Sequence, residues 1–386
     1  MTVGRKSWHL VTGEYPPEPG GVSDYTALLA RALAPHVGEV HVWCRGNAGV
    51  PIDEGGGVIV HRVCGGFGPA GLLRADRGLD RFPAPRAVVV QYVAQGFGFK
   101  AMNLPFAAWV ASRRFRRRDD VRVMFHEVAV PWVRRPLRRN LVAAVTRLMA
   151  AVLLRGCTRA YVSIPAWVPV LRRLGGSRVP IAWTPIPATV PDDPDPAAVA
   201  ARRAELAAGG PAVGHFGTYG RPITALLGPA LRALLGGRPD LRVLLLGSGG
   251  ERWRGELTAG RPDWERRVVA PGPLPAARVA ECLRACDLAV QPYPDGASAR
   301  RTTLMAALAN GVPVVTTVGP LSEPVWADGA VAAAPADDPG RLAALVVELL
   351  DRPDRLAELG AAARRTYESQ FAIERTVAVL LADPPR

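Results

Sequence analysis

Arg300, Arg301 and Thr302 stand together at the head of an apolar helical pattern, in QPYPDGASARRTTLMAALANGVPVVTT (291–317). Asp295 and Gly296 suit a turn before them, Thr302 suits an N-cap, and Gly311 suits the helix end. Two guanidinium groups beside a helix N-terminus would hold a diphosphate well, because both favour phosphate oxygens; the alternative is an exposed arginine pair. GEYPPEPGGVSDY (13–25) passes three prolines and then bares its backbone at Gly20 and Gly21 before another helical pattern. That elbow either lets a ligand approach backbone N–H groups or is a tight turn that needs glycine. AVGHFGTYGRP (212–222) repeats the idea with Gly217, Thr218, Gly220 and Arg221, and LLLGSGGE (244–251) repeats it with Gly247 and Ser248. Three glycine-rich strand ends in one chain point to a phosphorylated ligand. His126 and Glu127, in VRVMFHEVAVPW (121–132), follow a strand; the histidine there either donates to a sugar hydroxyl or phosphate oxygen or is simply a satisfied strand-end residue.

Other chemistries lack their motifs. There is no GxSxG elbow, HExxH pair or Walker A loop, and the elbow over 13–25 does not have the GxGxxG spacing of a dinucleotide fingerprint. Asp193-Pro-Asp195 has the DxD form of a metal–diphosphate site but falls in a proline-rich stretch. A diphosphate site held by arginine and backbone dipoles, with no metal and no cofactor, is the simpler expectation.

The elements that must position these residues alternate. Strands are expected near 7–12, 39–43, 58–63, 87–91, 121–125 and 160–163, with helices near 22–35, 101–118, 137–156 and 165–174. The second half repeats the pattern, with strands near 212–216, 241–246, 267–270, 288–291, 313–316 and 330–333. Its helices are expected near 222–235, 250–258, 275–285, 302–310 and 339–350, followed by a helical tail over 353–381. Alternation with short loops means parallel sheets with right-handed crossovers. PIPATVPDDPDPA (185–197) cannot form a helix interior and reads as a linker. The expected fold is therefore α/β, two doubly wound Rossmann-like domains (1–184 and 198–386) facing a cleft. Ligands should bind at the carboxyl ends of the strands.

The chain has 386 residues and a formal net charge of +14. Residues 1–190 hold 26 Lys+Arg against 11 Asp+Glu, so the basic excess belongs to one half. It concentrates in RRFRRR (113–118) and RRPLRRN (134–140), with Phe106, Trp109 and Phe115 interleaved. A solvated face and an anionic membrane surface both fit; no motif indicates specific nucleic-acid binding. The five cysteines are scattered without zinc spacing and read as reduced. There is no signal-peptide pattern and no apolar run long enough to span a bilayer. A cytoplasmic protein, peripheral at the inner face of the membrane, is the expectation.

Taken in order over nearly the full length, EYPPEPGGVSDY, the His126-Glu127 pair, HFGTYGRP, VLLLGSGGE and CDLAVQPYPDGASARRTTLMAALANGVPVVTT resemble the GT-B-fold glycosyltransferases of family 4, the retaining, nucleotide-sugar-dependent group. The resemblance implies transfer of a sugar from a nucleoside diphosphate sugar to an acceptor, lipid-linked or saccharide. It assigns His126, Arg300 and Arg301 to catalysis. Gly20, Gly21, Gly217, Thr218, Arg221, Asp295, Ser298, Thr302 and Thr303 would meet the donor phosphate and sugar. Gly247, Ser248, Pro271, Gly272 and Leu274 would meet the nucleoside, and the C-terminal helix would pack back on the first domain. Two departures stand out. The two glutamates common in the family, eight residues apart, fall on Ser298 and Ala306, and Thr218 stands where arginine is common. These departures keep two other readings open, a non-catalytic nucleotide- or carbohydrate-binding relative and a nucleotide-sugar epimerase.

Overall fold

The structure is a computed structural model, described here over residues 6–47, 49–135, 138–207 and 210–382. The chain divides into two compact units, residues 1–185 with 373–386, and residues 186–372. The first unit has an eight-stranded sheet: β1 (Ser7–Thr12), β2 (Val40–Arg45), β3 (Ile52–Asp53), β4 (Val58–Val63), β5 (Arg86–Tyr92), β6 (Asp120–Phe125), β7 (Arg159–Val162) and β8 (Ile181–Trp183). Its order is β3-β4-β2-β1-β5-β6-β7-β8, parallel throughout except for β3 against β4. The second unit has six parallel strands: β9 (Ala212–Phe216), β10 (Arg242–Leu246), β11 (Val268–Val269), β12 (Leu288–Gln291), β13 (Val314–Val318) and β14 (Ala332–Pro335). Their order is β11-β10-β9-β12-β13-β14.

Both orders reverse at one point, between β1 and β5 and between β9 and β12. At such a reversal successive crossovers leave on opposite faces of the sheet, and a crevice opens at the strand ends. The strands can be continuously apolar because both faces are covered; all seven residues of β5 are buried. In the first unit α2 (Pro69–Leu79), α3 (Leu104–Arg117) and α4 (Arg138–Gly156) follow α1 (Gly21–Val37). Val88, Val90, Phe106, Val110, Met149 and Leu153 join sheet and helices in one core.

The expected organisation needs correction at the linker. The stretch 186–195 is not a free linker. Ile186 N–H donates to the Ala299 carbonyl (3.1 Å), Asn310 Nδ2 donates to the Pro191 carbonyl (2.9 Å), and Arg364 pairs with Asp192 (2.9 Å). Its last residues enter a helix, Pro196–Ala207, whose first turn is capped by Asp195. The tail is helical as expected, in three pieces: Pro353–Thr366 continues through a π turn, Tyr367–Phe371, and restarts as Ile373–Leu381. That last helix belongs to the first unit, where Arg122 donates to the Leu380 carbonyl and Thr376 Oγ1 to the Pro185 carbonyl (3.3 Å). Helix α2 and the short β3 and β8 were not anticipated. In the basic run 134–140, residues 136 and 137 lie outside the described residues.

Five of the six histidines are held away from water. Burial, together with neighbouring histidines in the first unit, lowers His9 to about 2 and His61 to about 4. Burial also lowers His41, takes His126 to about 3 and takes His215 to about 4. Each is neutral in the folded chain and titrates near 6.5 when unfolded. Their stabilising contribution is therefore complete above pH 6.5 and is lost as pH falls below it, by about 2 kcal/mol at pH 5 for each of the deeply buried His9, His126 and His215. The melting temperature should fall steeply from pH 6.5 to 5 and stay nearly level from pH 7 to 8.5. An equally level profile below 6.5 would contradict this.

Candidate functional site

In the second unit the crevice at the β9/β12 reversal is a cavity of about 420 Å³. Three strand ends and one helix start build it. After β9 come Gly217 and Thr218, after β10 Gly247 and Ser248, and after β12 Tyr293 and the arginines. The turns after β9 and β10 touch backbone to backbone. Gly247 has φ +106°, and a Cβ there would stand 2.3 Å from the Gly217 carbonyl oxygen. Glycine is thus demanded here by both conformation and space.

Arg300, Arg301, Thr302 and Thr303 line the opposite wall. The helix Thr302–Ala309 takes Arg301 as its N-cap residue, not Thr302, and no side chain caps it. Its N-terminal dipole therefore faces the cavity undiminished by a carboxylate or hydroxyl cap. Asp295 forms salt bridges with both Arg300 and Arg301. The Arg301 guanidinium also lies 4.8 Å from the centre of the Tyr293 ring, whose hydroxyl is 2.9 Å from Thr303 Oγ1. His215 Nδ1 is 2.8 Å from the Val290 carbonyl, so it carries the proton, and Nε2 is a buried acceptor with no partner among the described residues. One carboxylate, two guanidinium groups and a helix start therefore leave a net positive wall suited to a diphosphate.

Glu323 is a member of this site that sequence reasoning missed. It is 6% exposed, accepts from Ala299 N–H (2.9 Å) and Trp326 Nε1 (2.7 Å), and is raised by burial above the usual carboxylate range. It fixes the loop that carries Arg300 and Arg301 from 24 residues downstream. No spacing in the sequence signals this, because only the β13 crossover brings the two segments together.

Other expected residues lie elsewhere. Arg221 is exposed at the start of its helix, Arg221–Gly237, and does not line the cavity. Ser298 and Ala306 are fully buried, so neither position reaches a ligand there. Pro271 and Leu274 line a separate cavity of about 170 Å³ against Arg202 and Leu206. The reason is that their loop leaves the edge strand β11 and turns toward the helix Pro196–Ala207. Gly272 lines neither; its φ is +78°, and a Cβ would stand 2.9 Å from the Glu251 carboxylate.

In the first unit the elbow after β1 is organised by Glu14. Its Oε1 accepts from Ser23 N–H in the first turn of α1 (3.3 Å), and a Cβ on Gly20 would stand 2.3 Å from that oxygen. Gly20 has extended φ, so it is needed for space and not for a left-handed turn. A Cβ on Gly21 would meet nothing within 4 Å, so the open side of the elbow is there. His126 directly follows β6, with Nε2 2.9 Å from Gln91 Oε1 and its ring 5.1 Å from Tyr25, edge to face. Its carbonyl accepts from Ser163 Oγ (3.0 Å) and Trp167 Nε1 (3.3 Å). Kept neutral by burial, it can exchange hydrogen bonds but brings no charge.

Residues 212–352 match the family model described as glycosyl transferases group 1. No curated protein matches the chain in sequence. Among solved structures, sucrose-phosphate synthase from Thermosynechococcus elongatus is similar, at TM-score 0.73 and 19% identity over 97% of each chain. Anabaena HepE in complex with UDP and glucose is similar at TM-score 0.70 and 15% identity, over 97% of this chain and 98% of that one. WaaG, a glycosyltransferase involved in lipopolysaccharide biosynthesis, is similar at TM-score 0.68 and 16% identity, over 97% and 100%. At such identities the likeness shows the fold. Residues 212–352 are a glycosyl transferases group 1 domain, and the chain that carries it has the GT-B glycosyltransferase fold of two Rossmann-like units.

Proposed function

We propose that the chain transfers a sugar from a nucleoside diphosphate sugar to an acceptor, in the manner of the retaining family 4 enzymes and without a metal. The observation that carries this is the cavity at the β9/β12 reversal, inside the matched domain, where Arg300, Arg301 and an uncapped helix start share one wall. In the transition state the bond from the anomeric carbon to the phosphate oxygen breaks, and negative charge grows on the departing diphosphate. Arg300, Arg301, the helix N-terminus and the hydroxyls of Thr302 and Thr303 stabilise that charge in a preorganised setting. The acceptor hydroxyl attacks from the same face, and its proton passes to the leaving phosphate oxygen, so no enzymic nucleophile is required. His126, being neutral, serves sugar recognition by hydrogen bonding. A uridine donor is the first choice, since similar structures were solved with UDP and glucose and with UDP-2-fluoro glucose.

Turnover in excess EDTA tests this. With UDP-glucose and related donors, release of nucleoside diphosphate should persist with the chelator, and the product should keep the donor's anomeric configuration. Full loss of turnover in EDTA, restored by a divalent cation, would contradict metal independence. Binding without turnover of any donor would favour the non-catalytic reading, which the buried Ser298 and Ala306 motivate.

The acceptor side is assigned to the first unit and to a cytoplasmic location at an anionic membrane. No helix of the described residues is long and apolar enough to cross a membrane. Trp132, Leu141 and Leu148 are more than half exposed, and the two leucines lie seven residues apart on α4. The segment bearing Trp132 is tied to α4 by two hydrogen bonds between Val133 and Asn140 (2.9 and 2.8 Å), and Arg147 lies 4.6 Å from the Trp132 ring. Arg134, Arg135, Arg138 and Arg139 flank them. Exposed apolar side chains framed by cations suit an anionic lipid surface. The protein should sediment with vesicles that contain anionic lipid at low salt and be released as salt rises. Absence of sedimentation would remove the membrane from the reading.

A further inference from the structure

The first unit holds a second cavity, of about 490 Å³, beside β2 and β4 and under α2. Arg62, Arg74, Arg77 and Arg81 line it over an aromatic wall of Trp43 and His61, and no Asp or Glu is among its lining residues. We propose that this cavity binds the phosphate monoester of a small molecule whose planar or apolar body rests on that wall. The proposal goes beyond the donor site, with which the cavity shares no residue.

The charge is placed there by the periodicity of α2. Arg74, Arg77 and Arg81 are spaced three and four residues apart, and the chain keeps its helical turns past Leu79, with Asp80 N–H on the Asp76 carbonyl and Arg81 N–H on that of Gly78. The three therefore form one stripe. The acids of the same segment are used on another side: Asp76 and Asp80 pair with Arg113 (2.8 Å each) and Arg117 (3.5 and 2.7 Å) of α3. Among the described residues no ion pair joins Arg62, Arg74, Arg77 or Arg81 to a carboxylate. Two of them are steadied by backbone instead: Arg74 donates to the Cys64 carbonyl (2.9 Å) and Arg62 to that of Pro16 (2.5 Å). Each guanidinium has five N–H donors, so others remain for a ligand. The His61 ring lies parallel to Trp43, 4.1 Å away at 6°. Gly78 lets α2 sit close on this stack, since a Cβ there would come 2.5 Å from the indole. A flat, apolar surface beside several cations suits a phosphate group and a ring together.

Calorimetric titration of the whole chain with phenyl phosphate, inorganic phosphate and benzyl alcohol tests this. Phenyl phosphate should bind with a Kd on the order of 0.1 mM, tighter than inorganic phosphate, with no heat from benzyl alcohol. The exposed pair Arg77→Gln/Arg81→Gln should weaken it by about tenfold or more and leave UDP affinity and melting temperature unchanged. Arg300→Gln/Arg301→Gln should leave phenyl phosphate affinity unchanged, which separates this cavity from the donor site. Competition by adenosine monophosphate, a phosphate monoester with a planar ring, would identify a soluble ligand, and competition by phosphatidic acid vesicles a lipid headgroup. Phenyl phosphate affinity untouched by the Arg77/Arg81 pair, or lost with the Arg300/Arg301 pair, would overturn the proposal.

Discussion

Exchanging Arg300 and Arg301 together for glutamine is expected to weaken nucleoside diphosphate binding about a hundredfold or more, a loss of about 3 kcal/mol or more. Two effects add. The variant loses charge-assisted hydrogen bonds to the diphosphate, and it leaves Asp295 without either of its cationic partners. The freed carboxylate, beside the cavity, then repels the phosphates. Adding Asp295→Asn to the double variant should therefore recover part of the affinity, an outcome that simple misfolding would not produce. Turnover should fall further than binding, because charge on the leaving group is greatest in the transition state. Melting temperature should change little, since Asp295 retains partial solvent access. Unchanged affinity in the double variant would remove the arginine pair from donor binding.

The largest stability effect is expected at Arg113→Met. Arg113 is fully buried and is held by Asp76, Asp80 and Asp119, the last at 2.6 Å and itself without side-chain exposure. Asp119 also takes Arg86 Nε (2.7 Å), so α2, α3 and the start of β6 are joined through one charge network. Removing only the central cation strands carboxylates in a low-dielectric setting, which costs about 3–5 kcal/mol. In a unit of about 200 residues that should lower the melting temperature of the unit by roughly 10 °C at pH 7. Arg113→Met with Asp119→Asn should recover part of the loss, because the uncompensated charge is then gone. A shift of only a degree or two in the single variant would mean that water reaches the network.

Much of this was legible in the sequence. Strands buried on both faces are short, largely apolar runs, so β1, β5, β6, β9 and β12 could be read almost to the residue, and each motif was placed on a strand end. The wall of the cavity at the β9/β12 reversal was legible for the same reason: Gly217, Gly247, Arg300 and Thr302 lie at breaks between such runs and helical patterns. What was not legible depends on distant contacts. Helix α2 hides in GGFGPAGLLRADRGL, where five glycines argue for loop; the helix forms because Leu72, Ala75 and Leu79 bury a stripe against the sheet. Proline content made 185–197 look like a linker, but proline does not prevent extended chain from packing against its own unit. Glu323 carries no local signal at all. Pro271 and Leu274 were placed by family pattern, and an edge strand of two residues fixes its following loop only weakly.

The most direct test of the central claim is a calorimetric titration of the purified chain with UDP, GDP, ADP and TDP in EDTA. The account predicts saturable binding of one of them, UDP first, with affinity lost in the Arg300/Arg301 variant. Absence of binding by all four, in a chain that melts cooperatively, would contradict it.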